Sequence, residues 1–217
     1  MSTIREDGLT YEDYFRMRQG TRVLKRHADF LAGRFFRGKG AGLILEVGCG
    51  AGFLLSHLRA ALPASFSLVG ADVDRAMLRL SGRVQGTEGI PFVQNEDASL
   101  PFREGSFQGI VCDGTFHHFE QPERMFAEMY RVLAPGGEMA ILNIDAGFLF
   151  ARLFRAYYRL KKKLGLATRP DFALYNSIQH SPSLEEMRGF LERNPLGEQE
   201  LFRKRTFFLA RVRKPPA

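Results

Sequence analysis

"LILEVGCGAGFLLSHL", residues 43–58, decides how this chain is read. Its branched apolar run reads as a buried strand and ends in an acid, Glu46. Three glycines follow at alternate positions, Gly48, Gly50 and Gly52, and a helical pattern starts at Phe53. Such a loop brings backbone N–H groups close to something flat or narrow. A dinucleotide site needs G-x-G-x-x-G, whose third glycine admits the helix close to the strand. Phe53 occupies that place here. Glu46 also tells against pyrophosphate, because like charges about 4 Å apart repel by about 4 kcal/mol at an effective dielectric of about 20. A tight strand-to-helix turn that holds nothing is the plain alternative, yet three alternating glycines exceed what a turn needs.

Outward from the loop, strands and helices alternate from residue 43 to 145. "SFSLVGAD" is a second strand that ends in Asp72, about 20 residues past the glycines, where an acid accepts two hydrogen bonds from ribose hydroxyls. Asp74 reads as the cap of the next helix, "RAMLRLSGRV". A surface loop acid is the alternative for Asp72. "IPFVQN" is a short strand whose Pro91 fits a strand start or a sheet edge. "SFQGIVCD" is the fourth strand, "PERMFAEMYRVL" a helix with Pro122 in first position, and "APGG" a turn into the fifth strand, "EMAILNI". This order predicts right-handed crossovers and an α/β, doubly wound, Rossmann-like sheet covered on both faces. A cationic nucleoside satisfies the acid, the glycines and Asp72 together. S-adenosylmethionine, with its ammonium, sulfonium, ribose and adenine, is that ligand.

"ILEVGCGAG", "VGADVDRAML", "NEDASLPFREGSFQGIVCDGTFHHF" and "EMYRVLAPGGEMAI" resemble the class I S-adenosylmethionine-dependent methyltransferases. The nearest type is the small-molecule branch typified by ubiquinone and menaquinone biosynthesis. The resemblance runs from Gly42 to Ile144. It implies seven strands, mostly parallel with the last antiparallel. It implies that Glu46, Gly48, Cys49, Gly50 and Gly52 wrap the methionine part, that Asp72 and Val73 meet the ribose, and that Asp97 with the Ala98 backbone reads the adenine edge. Cys112 and Asp113 would lie beside the methionine part. Two departures stand out. Gln108 replaces the usual Asp at the start of strand four, with little effect expected on chemistry. Asp113 is more acidic than the usual residue, and either holds the ammonium or selects a substrate.

The expected reaction is methyl transfer to oxygen or carbon of a small apolar or aromatic acceptor. An RNA methyltransferase and a non-catalytic cofactor-binding module are the alternatives. Transfer from a sulfonium is an in-line displacement, and alignment alone can supply ~7–11 kcal/mol. A general base is needed only where the acceptor must lose a proton. His118 first and His117 second suit that role, since they follow strand four at the edge where open α/β sheets bind ligands. His180 is a further candidate. The alternative is that the pair packs or caps the following helix. Cys49 and Cys112 sit at apolar strand ends and read as packing. Neither follows a proline, as the thiol of cytosine-C5 methyltransferases does, and neither has metal-site spacing. No N-P-P-Y or D-P-P-Y follows strand four, which argues against amino-methylation of adenine or glutamine.

A chain of 217 residues, 45% apolar, suits one compact domain. Its expected parts are a helical cover (1–40), a cofactor-binding core (41–146), a helical lid or insert (147–181), and a last helix with closing strands (182–217). Within the cover, residues 10–36 read as helical, with Leu24, His27, Ala28, Leu31 and Phe35 at helical spacing, and "GKGAG" ends the helix. Tyr11, Tyr14 and Arg18 would lie over the cofactor by analogy with the family. "GFLFARLFRAYYRLKKKLG" carries an apolar stripe of Phe150, Leu153, Phe154, Tyr157, Leu160 and Leu164, and a basic one of Arg152, Arg155, Arg159 and Lys162. Over 147–164 it either docks on the sheet, forms a lid, makes a peripheral membrane contact or meets nucleic acid. "SLEEMRGFLER", with Ser183 and Glu186 as a capping box, is the last helix, and "EQELFRKRTFFLARVRK" a closing antiparallel pair. The charge of +7 suits nucleic acid, anionic lipid, an acidic substrate or plain solubility. Basic groups lie at Lys161–Lys163, Arg203–Arg205 and Arg211–Lys214, but no RNA module or aromatic-basic signature accompanies them, so a small, lipophilic acceptor is the expected partner. No signal-like segment and no apolar run of about 18 residues is present, and a cytoplasmic setting is expected.

Overall fold

The computed structural model describes residues 10–18, 22–36, 40–204 and 206–217. Its centre is a seven-stranded sheet in the order β3-β2-β1-β4-β5-β7-β6. The strands are β1 (Gly42–Val47), β2 (Phe66–Asp72), β3 (Phe92–Gln94), β4 (Phe107–Asp113), β5 (Leu133–Ile144), β6 (Glu198–Lys204) and β7 (Phe207–Arg213). The first five run parallel, while β7 pairs antiparallel with both β5 and β6. The mostly parallel, doubly wound sheet with its antiparallel closing pair is the expected fold.

Adjacent strand residues serve opposite faces. Ile44 and Val111 join a cluster with Leu24, Leu31, Leu54 and Leu58, from α2 (Arg22–Arg34) and α3 (Phe53–Ala61). Leu45, Ile110 and Ile141 join Met125, Phe126, Met129, Phe190 and Leu191, from α5 (Pro122–Val132) and α8 (Leu184–Arg193). Each large side chain so buried contributes about 1.5–3 kcal/mol, which is why the strands are apolar throughout rather than alternating. The strand order reverses between β1 and β4. Their C-terminal ends, Glu46–Val47 and Cys112–Asp113, therefore flank the crevice where such sheets take ligands.

The region expected as one helix over 10–36 contains α1 (Tyr11–Arg18) and α2. Residues 1–9 and 37–39 of the expected cover, residues 19–21 of that helix, the first part of "GKGAG" and Arg205 of the basic group lie outside the described residues. α1 is held over the glycine loop. Phe15 packs on Phe53 with ring centres 5.1 Å apart, the Arg83 guanidinium lies 4.6 Å from the Phe15 ring, and Arg83 pairs with Glu12 at 2.8 Å.

Three local expectations are corrected. "RAMLRLSGRV" is helical only over α4 (Arg75–Arg79), followed by a 3-10 turn, Ser81–Arg83, because Ser81 and Gly82 are poor helix formers. "APGG" lies inside β5, whose register against β4 shifts between Phe107 and Gly109. After α6 (Leu149–Lys163) comes an unforeseen helix, α7 (Arg169–His180). Its signal was present: Thr168 and Asp171 form a reciprocal capping box with Pro170 in the first turn. The Ser183–Glu186 box of α8 forms as expected. Among the described residues, no helix is long and apolar enough to cross a membrane.

Candidate functional site

Beyond β1 the chain turns through Gly48, Gly50 and Gly52, all with left-handed φ (72°, 53° and 82°). At two of them the reason is internal. A Cβ on Gly48 would collide with the Thr115 side chain, and one on Gly52 would stand 2.6 Å from Cζ of Phe92. Gly50 instead donates its N–H to Oδ2 of Asp72 at 2.7 Å. Asp72 Oδ1 accepts from the Asp74 N–H at 2.8 Å. Asp74 is the helix cap expected, accepting from Ala76 N at 2.8 Å and Met77 N at 3.2 Å. Between the two acids Val73 is 51% exposed, an apolar side chain standing at the rim of the crevice.

Three acids converge on the loop. Glu46 is buried and its Oε2 has no hydrogen-bond partner. Burial pushes its pKa well above the usual carboxylate range, and the charges of Asp113 and Asp72 push it further. The Arg18 charge and a backbone hydrogen bond from Leu55 offset this in part, but a buried carboxylate with one unpartnered oxygen between two more acids still favours an arriving cation. Arg18, on α1, stands in that field. Tyr14, whose hydroxyl it reaches from Nε at 3.0 Å, favours its charged form most, and Asp113 and Glu46 add to this. Asp113 is occupied by His27, whose Nδ1 lies 2.8 and 3.0 Å from its two oxygens. His27 was legible only as a polar residue on an apolar helical face.

The adenine-edge candidates lie on a tight turn. Ala98 is buried with φ 56°, left-handed for a residue bearing a Cβ, a conformation that costs ~1 kcal/mol or more. The segment is over-determined: Arg131 donates to Leu100 O at 3.1 Å and Phe102 O at 3.0 Å, and Glu128 accepts from Leu100 N at 3.1 Å. Asp97, beside Ala98, is exposed.

Both thiols are buried, and burial raises their pKa values. Neither is poised as a nucleophile. Cys112 has no exposed surface. Gln108, at the far end of β4, accepts from Leu43 N at 2.8 Å and ties β4 to β1 away from the site.

His117 and His118 lie in a 3-10 turn after β4 with ring centres 4.0 Å apart. His118 is exposed, while His117 is mostly buried. Burial, then the neighbouring His118, lowers the pKa of His117 to about 3, so its ring is neutral. The tautomer follows from Asn143, on β5. Asn143 Oδ1 accepts from Ile144 N at 3.1 Å, while Ser181 spends its hydroxyl hydrogen on Ser177 O at 2.7 Å. Asn143 Nδ2 therefore donates to His117 Nδ1 at 3.2 Å, leaving the ring proton on Nε2. That Nε2–H is buried and has no partner. His117 thus presents a donor rather than a base. His180 is exposed and spends its Nδ1 on Asn176 O at 2.8 Å. Asn143 was not foreseen, because it meets His117 only through the fold.

These residues fit an amino-acid-bearing nucleoside: acids for an ammonium, Arg18 for a carboxylate, and Asp72 for a sugar. The family model described as a methyltransferase domain matches residues 45–141. The demethylmenaquinone methyltransferase of Thermus thermophilus is 29% identical over 157 residues, covering 68% of this chain and 71% of that protein. The Deinococcus radiodurans protein of the same name is 32% identical over 143 residues, 64% of this chain and 59% of that one. The phthiotriol/phenolphthiotriol dimycocerosates methyltransferase 1 of Mycobacterium ulcerans is 38% identical over 102 residues, 46% of this chain and only 37% of its own length. Among solved structures, a SAM-dependent methyltransferase from Aquifex aeolicus superposes with a TM-score of 0.60 at 18% identity, covering 88% of this chain and 97% of that one. The plantazolicin methyltransferase BpumL, in complex with a desmethyl analogue and SAH, gives 0.69 at 12% identity, covering 94% and 89%. With the matched domain spanning the glycine loop, the acids and the parallel strands, the chain is an S-adenosylmethionine-dependent methyltransferase similar to the class I enzymes.

Proposed function

We propose that this methyltransferase acts on oxygen or carbon of a small, lipophilic acceptor that enters beside His117, and that residues 1–217 work as one methyltransferase unit. The observation that carries the cofactor side is the unpartnered buried Oε2 of Glu46 among Asp72 and Asp113. Bound S-adenosylmethionine supplies a methyl group already activated by its sulfonium. Glu46 and Asp113 attract the ammonium, and Arg18 pairs with the carboxylate. Gly48, Cys49, Gly50 and Gly52 line the methionine part with their backbone, and Cys112 packs behind it. Asp72 accepts from the ribose hydroxyls, Val73 lies beside the sugar, and Asp97 with the Ala98 N–H reads the adenine edge.

For the acceptor, the donor Nε2–H of His117 faces an oxygen and holds it in line, which is alignment rather than proton removal. Where the acceptor must lose a proton, His118, the exposed member of the pair, is the base. The relatives' names support a lipophilic acceptor, since demethylmenaquinone and phthiotriol dimycocerosates are of that kind. Methyl transfer from labelled S-adenosylmethionine to a panel of apolar phenols, quinols and long-chain alcohols tests this reading. Turnover of an apolar member, with His117→Ala lowering kcat about 10-fold or more while cofactor affinity holds, is expected. Turnover confined to RNA or to charged small molecules contradicts it.

A further inference from the structure

α6 has its amphipathic face turned the unexpected way. At about 100° per residue, Leu149, Phe150, Leu153, Tyr157, Leu160 and Leu164 fall in one arc of the helix, and they are 62%, 45%, 60%, 52%, 57% and 60% exposed. The protein-facing side is carried by Ala151 and Tyr158, the latter stacked on Tyr175 of α7 at 4.3 Å. Docking on the sheet through the apolar stripe, one of the sequence alternatives, is therefore not what the fold does. Leu166 and Leu174 extend the apolar surface beyond α6.

The charges along the stripe are of one sign. α6 contains no acidic residue. Arg155 donates to Ala146 O and Lys161 pairs with Asp171, but Arg152, Arg159, Lys162 and Lys163 are exposed. A second copy of the chain would press these cations against their equivalents. A nucleic acid would meet the cations and leave six large apolar side chains in water. An anionic bilayer takes both: leucines seat about 5–10 Å into the headgroup boundary while the cations meet lipid phosphates.

We propose that α6 is a membrane-surface anchor, seating its Leu149–Leu164 stripe in the interface of an anionic bilayer. α6 begins five residues after Ile144, the end of the strand that carries Asn143, so the anchor is joined to the acceptor side of the crevice. A lipophilic acceptor then passes from bilayer to site without crossing water. That purpose rests on the proposed acceptor class, but the binding itself does not.

Flotation with vesicles tests it without any methyl transfer. The wild-type chain is expected to float with vesicles of phosphatidylcholine and phosphatidylglycerol in equal parts, and far less with phosphatidylcholine alone. Leu153→Glu/Leu160→Glu should weaken that binding at least about tenfold. Arg152→Gln/Arg159→Gln should weaken it on the order of tenfold for the anionic vesicles only. Both variants should keep the wild-type circular dichroism and S-adenosylmethionine affinity, which separates lost binding from lost folding. Equal flotation of the leucine variant, absence of wild-type flotation, a dimer that Leu153→Glu/Leu160→Glu dissociates, or steeply salt-dependent RNA binding through α6 would each overturn the proposal.

Discussion

Burial, helped by Asp113 and Asp72, raises the pKa of Glu46 well above the usual carboxylate range and so favours its protonated form. Its folded pKa exceeds its unfolded one, so its contribution to stability is present at low pH and is lost as pH rises through the raised value. Glu46→Gln removes that loss. The variant is expected to unfold about 2–4 °C higher than wild type at pH 8, the shift that ~1 kcal/mol produces in a chain of this size, with little difference at pH 4. It should also bind S-adenosylmethionine more weakly, a trade of stability against function. Cofactor binding should release a proton from wild type, visible as calorimetric heats that change with buffer ionisation enthalpy, and release less from Glu46→Gln.

His117 runs in the opposite sense. Its folded pKa, about 3, lies below the ordinary imidazole value of about 6.5, so the folded chain loses stability as pH falls from about 6.5 towards 3. His117→Gln should flatten that part of a plot of unfolding midpoint against pH, while an unchanged slope would remove His117 as its source. Glu46, Gly48 and Asp72 were legible because each stands at a strand end or in a short motif. His27 beside Asp113 and Asn143 beside His117 were not, because they are 86 and 26 residues apart and only the sheet joins them.

At the scale of elements, the glycine loop does two things at once. Gly48 and Gly52 are demanded by Thr115 and Phe92, so part of the pattern that pointed to a ligand is packing between β1, β4 and β3. Gly48→Ala should cost ~2 kcal/mol or more through overpacking and left-handed strain, measured by chemical denaturation. In the Ala98 turn, Ala98→Gly should keep both stability and cofactor affinity, whereas Ala98→Val should lower both, because a β-branched residue resists positive φ. The sequence period of α6 located its apolar stripe but could not say which way it faces; that depends on Tyr158 finding Tyr175 in a helix not foreseen.

For the molecule as a whole, the sheet's reversal between β1 and β4 puts the acids and the histidine pair at one crevice, and the closing hairpin completes the sheet beside β5. Glu138, 4% exposed on β5, binds Arg211 at 2.9 Å and Arg213 at 3.0 Å on β7. Glu138→Ala would leave Arg211 with Glu200 and Arg213 with Glu198, and should destabilise the chain by ~1–2 kcal/mol, seen as a lower denaturation midpoint. Strand order and the antiparallel β7 follow from apolar runs and the family resemblance, whereas this ionic clamp needed the register.

The central claim is that a cationic nucleoside sits against the glycine loop with its sugar on Asp72. Titration calorimetry with S-adenosylmethionine, on wild type and Asp72→Ala, tests it most directly. One-site binding by wild type, weakened at least about tenfold in a variant of unchanged circular dichroism, is the expected result, in line with the loss of hydrogen bonds to a charged group. Equal affinity in the two proteins, or no wild-type binding, would contradict the account.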